Sequence, residues 1–267
     1  MVGTATYDFE GVAAIVTGST KGIGRSVAAA FAEHDADVAV NARTESEVTR
    51  TAAELDELGE GTVVGIPGDM AEPDDVETLV AEAIEAFDQV DVLVNNAAVW
   101  PREGSLLSAD LAEWDHTMAV NVRSQFYCAT LVGRHMVEAG VDGRIVNVSS
   151  QTGDRRTGGR GLYGISNTAV NGLTWRLAHD FASEGIRVNA VSTDAVDTFQ
   201  LRKEARAVAD TEDTTVEAVL DDWGQQRPLG RLGRPEDVAD GVLFLCSDRA
   251  DYVVGDILRI GGGGNLQ

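Results

Sequence analysis

The sequence predicts an α/β chain, one domain built as a three-layer sandwich around a seven-stranded parallel sheet. Three observations predict it. Short apolar runs rich in Val, Ile and Ala alternate with longer amphipathic stretches along 267 residues, the rhythm of repeated βαβ units. Hydrophobic residues make up 43% of the chain and charged ones only 24%, enough apolar material to cover both faces of such a sheet. No Pro/Ser-rich linker, repeat or low-complexity segment divides it, so residues 1–267 read as a single unit.

The elements follow in order. Val12 to Thr17 reads as the first strand, and the glycine-rich turn after it opens a helix from Gly22 to His34. A strand from Asp37 to Val40 and a helix from Glu45 to Leu58 come next. After a third strand, Thr62 to Ile66, the helix from Pro73 to Phe87 carries its own start signal. Pro73 has no N–H to lose at a first helical position, and Asp74 and Asp75 meet the positive end of the helix. A strand from Val92 to Asn95 and a helix from Leu111 to Ala139 follow. Then come a strand from Arg144 to Val148, a helix from Leu162 to Ser183, a strand from Arg187 to Val191, a helix from Pro235 to Cys246 and a last strand from Asp256 to Ile260. One stretch breaks the rhythm: residues 199–226, with the acidic patch Asp210 to Asp213 and then Trp223. An insertion beyond the carboxyl end of a strand is well placed to cover a ligand, so this stretch is expected to act as a lid.

Charge narrows the partners. The chain carries 44 acidic and 21 basic side chains, a net charge of −23. Such a polyanion is repelled by nucleic-acid phosphates and anionic headgroups, so neither nucleic acid nor membrane is expected as a partner. Of the 21 basic residues only Lys21 and Lys203 are lysines. An acid-rich, Lys-poor chain suits concentrated salt, where counterions screen repulsion beyond about 3 Å at 1 M, and a halophilic source is expected. No apolar stretch approaches the ~20 residues of a membrane span, and Met1 to Gly11 carry neither basic nor apolar leader features. A cytoplasmic protein is therefore expected. Cys128 and Cys246 are too few for a disulfide framework, and His34, His116, His135 and His179 have no ligand spacing, so no metal is expected.

The chemistry begins at Thr17-Gly18-Ser19-Thr20-Lys21-Gly22-Ile23-Gly24, between the first strand and helix. Glycines let backbone approach a pyrophosphate, and the free N–H groups of a helix start favour the anion. This spacing resembles the short-chain dehydrogenase/reductase family, and further family-like segments follow in order over nearly the whole chain. They are Gly68-Asp69, Asn95-Asn96-Ala97-Ala98, Asn121, Asn147-Val148-Ser149-Ser150, Tyr163, Ile186 to Val191, and Gly230 to Glu236. The resemblance implies a Rossmann-type NAD(P)-binding domain with its substrate at the carboxyl edge of the sheet.

Cofactor choice is read at the end of the second strand. An NAD enzyme usually places an acid there for the ribose 2′-hydroxyl; here the position is Ala42, followed by Arg43. Arg43 can hold a 2′-phosphate bidentately and Lys21 can approach the same group from the glycine loop, so NADP(H) is expected over NAD(H). Gly18, Thr20, Gly22, Ile23 and Gly24 form the phosphate turn. The resemblance adds Asp69 and Met70 near the adenine, Asn96 and Ala97 beside the ribose, and Val196 and Thr198 at the carboxamide.

Carbonyl reduction needs a hydride donor and a proton donor to the developing alkoxide. By resemblance Tyr163 is the acid/base, Ser150 holds the substrate oxygen and Asn121 belongs to a water relay. The family places a Lys four residues after its Tyr, one turn on along the same helix face; this chain has Asn167. An ammonium ~5 Å from a phenol at an effective dielectric of ~20 favours phenolate by about 3 kcal/mol, roughly two pKa units. Asn167 supplies no such charge, though its amide could bind the nicotinamide ribose. Ala98 and Thr193-Asp194 also depart from the family's Gly and Pro-Gly, and Asp194 brings negative charge toward the nicotinamide. The resulting expectation is an NADP(H)-dependent oxidoreductase acting on a small carbonyl or secondary alcohol. The alternative is a nucleotide-binding scaffold or sensor of the same fold with little turnover.

Substrate contacts are expected from Gln151, Arg155 and Trp223, with Trp100, Arg102 and Arg156 nearby. Arg155, Arg156 and Arg160 in one loop could attract an anionic substrate or form surface salt bridges. A homotetramer is expected from the resemblance alone.

Overall fold

The computed structural model describes residues 5–101, 106–154 and 161–266. Seven strands form one sheet: β1 (Ala13–Val16), β2 (Asp37–Ala42), β3 (Val63–Pro67), β4 (Val92–Asn95), β5 (Arg144–Ser150), β6 (Arg187–Thr193) and β7 (Ile257–Ile260). Their order is β3-β2-β1-β4-β5-β6-β7 and every neighbouring pair is parallel. The expected seven-stranded Rossmann-type sandwich is thus the observed one. Strand order reverses between β1 and β4, and at such a switch point the strand ends leave a crevice.

Alternation along each strand divides the core. Ala14 and Val16 face one layer, where they pack with Val27, Ala28 and Phe31 of α1 (Gly22–Ala32) and Val238, Val242 and Leu243 of α9 (Pro235–Cys246). Ile15 faces the other, against α3 (Pro73–Phe87), α5 (Ser124–Ala139) and α6 (Gly161–Phe181) through Leu79, Val132 and Leu177. Period two in the strand and 3.6 in the helices are what make both layers possible. Cys128 and Cys246 are buried thiols that burial pushes up to about 12, which leaves them as small core residues. Among the described residues no helix is long and apolar enough to cross a membrane.

Two departures from the sequence reading matter. The helix expected from Leu111 to Ala139 is interrupted: α4 (Leu111–Met118) passes into a π-helical turn, Ala119–Arg123, before α5. Hydrophobic periodicity cannot register one extra residue in a turn, and such turns collect at functional sites; this one holds Asn121. The stretch 199–226 folds as two helices, α7 (Phe199–Glu212) and α8 (Val216–Gln225), with a small core of their own from Leu201, Ala205, Ala209, Val219 and Leu220.

The start of α9 is held by one carboxylate. Asp237 accepts from the Arg234 backbone N–H at 2.7 Å and from two nitrogens of Arg231 at 2.6 and 3.1 Å. The Arg231 guanidinium and the Arg234 N–H hold its carboxyl well below the usual carboxylate range. A depressed pKa stabilises the fold above the unfolded value of about 4 and loses that contribution as acid protonates the folded group. Asp237→Asn is expected to cost about 1 kcal/mol at pH 7, a fall of ~2–4 °C in the thermal midpoint. The difference from the parent should shrink as pH drops below about 4, measured by melts at several pH values.

Candidate active site

A cleft of about 470 Å³ lies over the carboxyl ends of β1, β2, β4 and β5. Its floor is knitted by loop-to-loop hydrogen bonds. Thr17 Oγ1 accepts the N–H groups of Asn96 at 2.9 Å and Ala97 at 3.0 Å, while Asn96 Nδ2 donates to the carbonyls of Thr17 and Gly18. Gly18 sits at φ +63°, and a Cβ on Gly24 would stand 2.4 Å from the Gly18 oxygen. The turn therefore needs both glycines to close so tightly. Asn41, which sequence reasoning passed over, is fully buried and pins β2 to β3 by donating to the Ile66 carbonyl at 3.1 Å. A polar side chain inside a strand of apolar residues was the signal that could have found it.

Helix α1 opens into this cleft without a side-chain cap: its N-cap, Lys21, makes no capping hydrogen bond. The N-cap side chain thus accepts from none of the first-turn N–H groups, and Thr20, Lys21, Gly22, Ile23 and Gly24 all line the cleft. That donor set suits a diphosphate. Of the other residues expected at the nucleotide, Gly18, Arg43, Asp69, Met70, Asn96, Ala97, Tyr163, Val196 and Thr198 line the same cleft. Arg43 is well exposed and stands 4.0 Å from Asp69, a contact of little strength in water. Lys21 Nζ lies over the Phe199 ring, 5.7 Å from its centroid. Glu47 also lines this end, an acid the sequence reading did not place there.

At the other end Tyr163 lies in the first turn of α6 with the Trp100 ring 5.3 Å away at 49°. Ser150 closes β5, nearly buried, and its Oγ accepts the Thr152 N–H at 3.3 Å; it is Ser149 that lines the cleft. Asn121 is buried and fully engaged. Its Oδ1 accepts the Val99 N–H at 2.8 Å, and its Nδ2 donates to the Val99 carbonyl at 3.0 Å and to Ser166 Oγ at 3.1 Å. Ser166 in turn donates to the Tyr163 carbonyl at 2.9 Å, so Asn121 ties the strand-four loop to the helix that carries Tyr163.

Three expectations about side chains need correcting. Asn167 does not line the cleft. It is 5% exposed and its Nδ2 donates to the Tyr163 carbonyl at 2.8 Å, because a short amide four residues on finds its own helix before it can reach a ribose. Gln151 is 1% exposed and lies against Gly261, with neither end of its amide partnered among the described residues. Asp194 does not present a bare charge to the nicotinamide end: Arg227 Nε donates to it at 3.1 Å. Trp223 packs on the α7–α8 core and accepts from Arg227 through its carbonyl. Arg155, with Arg102, Arg156 and Arg160, lies outside the described residues.

Comparison with known proteins agrees with this geometry. The family model described as enoyl-(acyl carrier protein) reductase matches residues 18–265. An oxidoreductase of Thermotoga maritima is 35% identical over 96% of this chain and 98% of its own. Dehydrogenase/reductase SDR family member 4 of Caenorhabditis elegans is 33% identical over 96% and 95%. Among solved structures, L-sorbose reductase from Gluconobacter frateurii, complexed with NADPH and L-sorbose, superposes with a TM-score of 0.92 at 26% identity, over 97% and 98% of the two chains. A switch-point cleft over a parallel sheet and likeness along practically the full length of several oxidoreductases lead to one assignment: the chain belongs to the short-chain dehydrogenase/reductase family.

Proposed function

We propose that the chain is an NADP(H)-dependent oxidoreductase exchanging hydride with a small carbonyl or secondary alcohol. One observation carries the reading: a single cleft is lined by Lys21 beyond β1, by Arg43 beyond β2 and by Tyr163 beyond β5. Three strand spacings separate β2 from β5 in the sheet order, roughly 14 Å, a span that an extended dinucleotide bridges. Ala42 supplies no carboxylate where a 2′-phosphate would sit, Arg43 follows it directly, and Lys21 lines the same cleft.

When bound, the nicotinamide supplies or takes the hydride. The uncapped start of α1 holds the diphosphate, and Arg43 with Lys21 holds the 2′-phosphate. In reduction the Tyr163 hydroxyl gives its proton to the carbonyl oxygen as that oxygen gains charge; in oxidation the phenolate takes the proton back. Ser150 orients the substrate oxygen, and Asn121 fixes the start of α6 through Ser166 and Val99. The 199–226 stretch closes over the occupied site as a lid.

Without a Lys beside it, Tyr163 lacks one source of phenolate stabilisation. Asn167→Lys places an ammonium one turn from Tyr163. Measured with NADP⁺ and a panel of secondary alcohols in molar KCl, the medium that the −23 charge suits, the variant is expected to turn over about tenfold faster at pH 7. Its alkaline pH optimum should move down. Silence from both proteins towards alcohols with NADP⁺ and towards aldehydes, ketones and ketoses with NADPH, despite measurable NADPH binding, would overturn the redox reading.

A further inference from the structure

The α7–α8 excursion is packed chiefly on itself, so its position depends on how its two ends are tied to the sheet. Leu201, Ala205, Ala209, Val219 and Leu220 form a core separate from the two that cover the sheet. The chain leaves at Thr198, whose side chain accepts the Leu201 N–H at 3.3 Å. The neck is closed where the Gly233 N–H donates to the Ala195 carbonyl at 3.0 Å and the Gly233 carbonyl accepts from the Asp197 N–H at 2.8 Å. Neither tie reaches the far end of α8.

A third tie does. Arg227 Nε donates to Asp194 Oδ2 at 3.1 Å, and its Nη1 donates to the Trp223 carbonyl at 2.7 Å, in the last turn of α8. That carbonyl belongs to the negative end of the helix, where a cation is favoured. The Arg227 and Asp194 side chains are only 17% and 9% exposed, so the pair is screened little by salt. Asp194 also lines the cleft. It is wedged from behind: a Cβ on Gly264 would come within 2.2 Å of Asp194 Oδ2, and one on Gly261 within 3.0 Å of its Cβ. The carboxylate therefore cannot swing away from Arg227 into the C-terminal glycines.

We infer that Asp194 and Arg227 form a latch that positions α8, and with it the α7–α8 lid, over the catalytic end of the cleft. The inference rests on reading 199–226 as a lid over a nucleotide site. Both are positioning residues, acting through where α8 stands. Removing either charge breaks a nearly buried ion pair between the end of β6 and the end of α8, so the lid loosens on what remains, its neck and the Leu229–Gly262 backbone bond.

Trypsin reads this without cofactor or turnover, because Arg202, Lys203 and Arg206 lie on the exposed face of α7. Asp194→Asn and Arg227→Gln are each expected to speed cleavage within α7 about tenfold while cleavage after Arg25 and Arg249 stays unchanged. The double variant should be no faster than the faster single, since both remove one interaction; Arg227→Lys, which keeps the charge and shortens the grip, should fall between. In titrations, NADPH should bind about fivefold more weakly to either variant and 2′,5′-ADP, which lacks the nicotinamide half, equally well. Unchanged cleavage in α7, an equal rise at Arg25 and Arg249, or additive effects in the double variant would each sink the latch. These cleavage outcomes leave the redox reading untouched, whereas a wild-type protein that binds NADPH yet turns nothing over fails that reading and not the latch.

Discussion

Tyr163→Phe is expected to lower kcat/KM by ~10²- to 10⁴-fold, the range a positioned general acid/base contributes, with the NADPH Kd changed by less than about twofold. The variant keeps the ring that stands beside Trp100 and the backbone carbonyl that Ser166 and Asn167 use. The first turn of α6 and the cleft wall should therefore persist, and only the hydroxyl is lost. A group acting only in the transition state lowers kcat and kcat/KM together, so the two should fall in parallel in steady-state assays. A lower kcat/KM that comes only from a raised KM, with kcat unchanged, would mean that Tyr163 binds substrate and moves no proton.

The second large effect concerns cofactor choice. Arg43→Asp is expected to lower the NADPH-over-NADH ratio of kcat/KM by about 10²-fold or more. A charge-assisted contact to phosphate is worth ~1.5–3 kcal/mol, and the new carboxylate adds repulsion to the 2′-phosphate while offering the 2′-hydroxyl of NADH an acceptor. Arg43 is exposed and its contact with Asp69 is long, so the exchange should leave the melting temperature nearly unchanged. Lys21 alone then faces the phosphate, and Lys21→Ala on the Arg43→Asp background should complete the switch. A ratio unmoved by Arg43→Asp would place the discriminating contacts elsewhere, with Glu47 the first acid to test.

How far the sequence could be read follows the range of the interactions. Each strand and helix announced itself through local periodicity, and the glycine loop was legible because its chemistry is written in consecutive residues after one strand. Most residues expected at the nucleotide do line one cleft, since a βαβ chain returns every strand end to the same edge. The π-turn at Ala119–Arg123 was invisible, because a single extra residue shifts the helical phase without disturbing the apolar pattern. The fate of Asn167 was misjudged for a related reason: its spacing from Tyr163 is correct, but spacing does not say whether a short amide reaches the cleft or turns back onto its helix. Gln151 next to Ser150 suggested a substrate contact, whereas packing against Gly261 buries it.

By itself, then, the sequence determined the α/β class, the order of its elements, the glycine-rich turn after the first strand and the absence of an acid at Ala42, all of them properties of neighbours along the chain. Only the tertiary structure decided that Asp194 is neutralised by Arg227, 33 residues away, that Asn121 serves the helix of Tyr163, and that α7 and α8 hold together as a unit tied at few points. Those are contacts between segments whose separation along the chain carries no signal; they exist because strand order and packing bring the segments to one edge of the sheet.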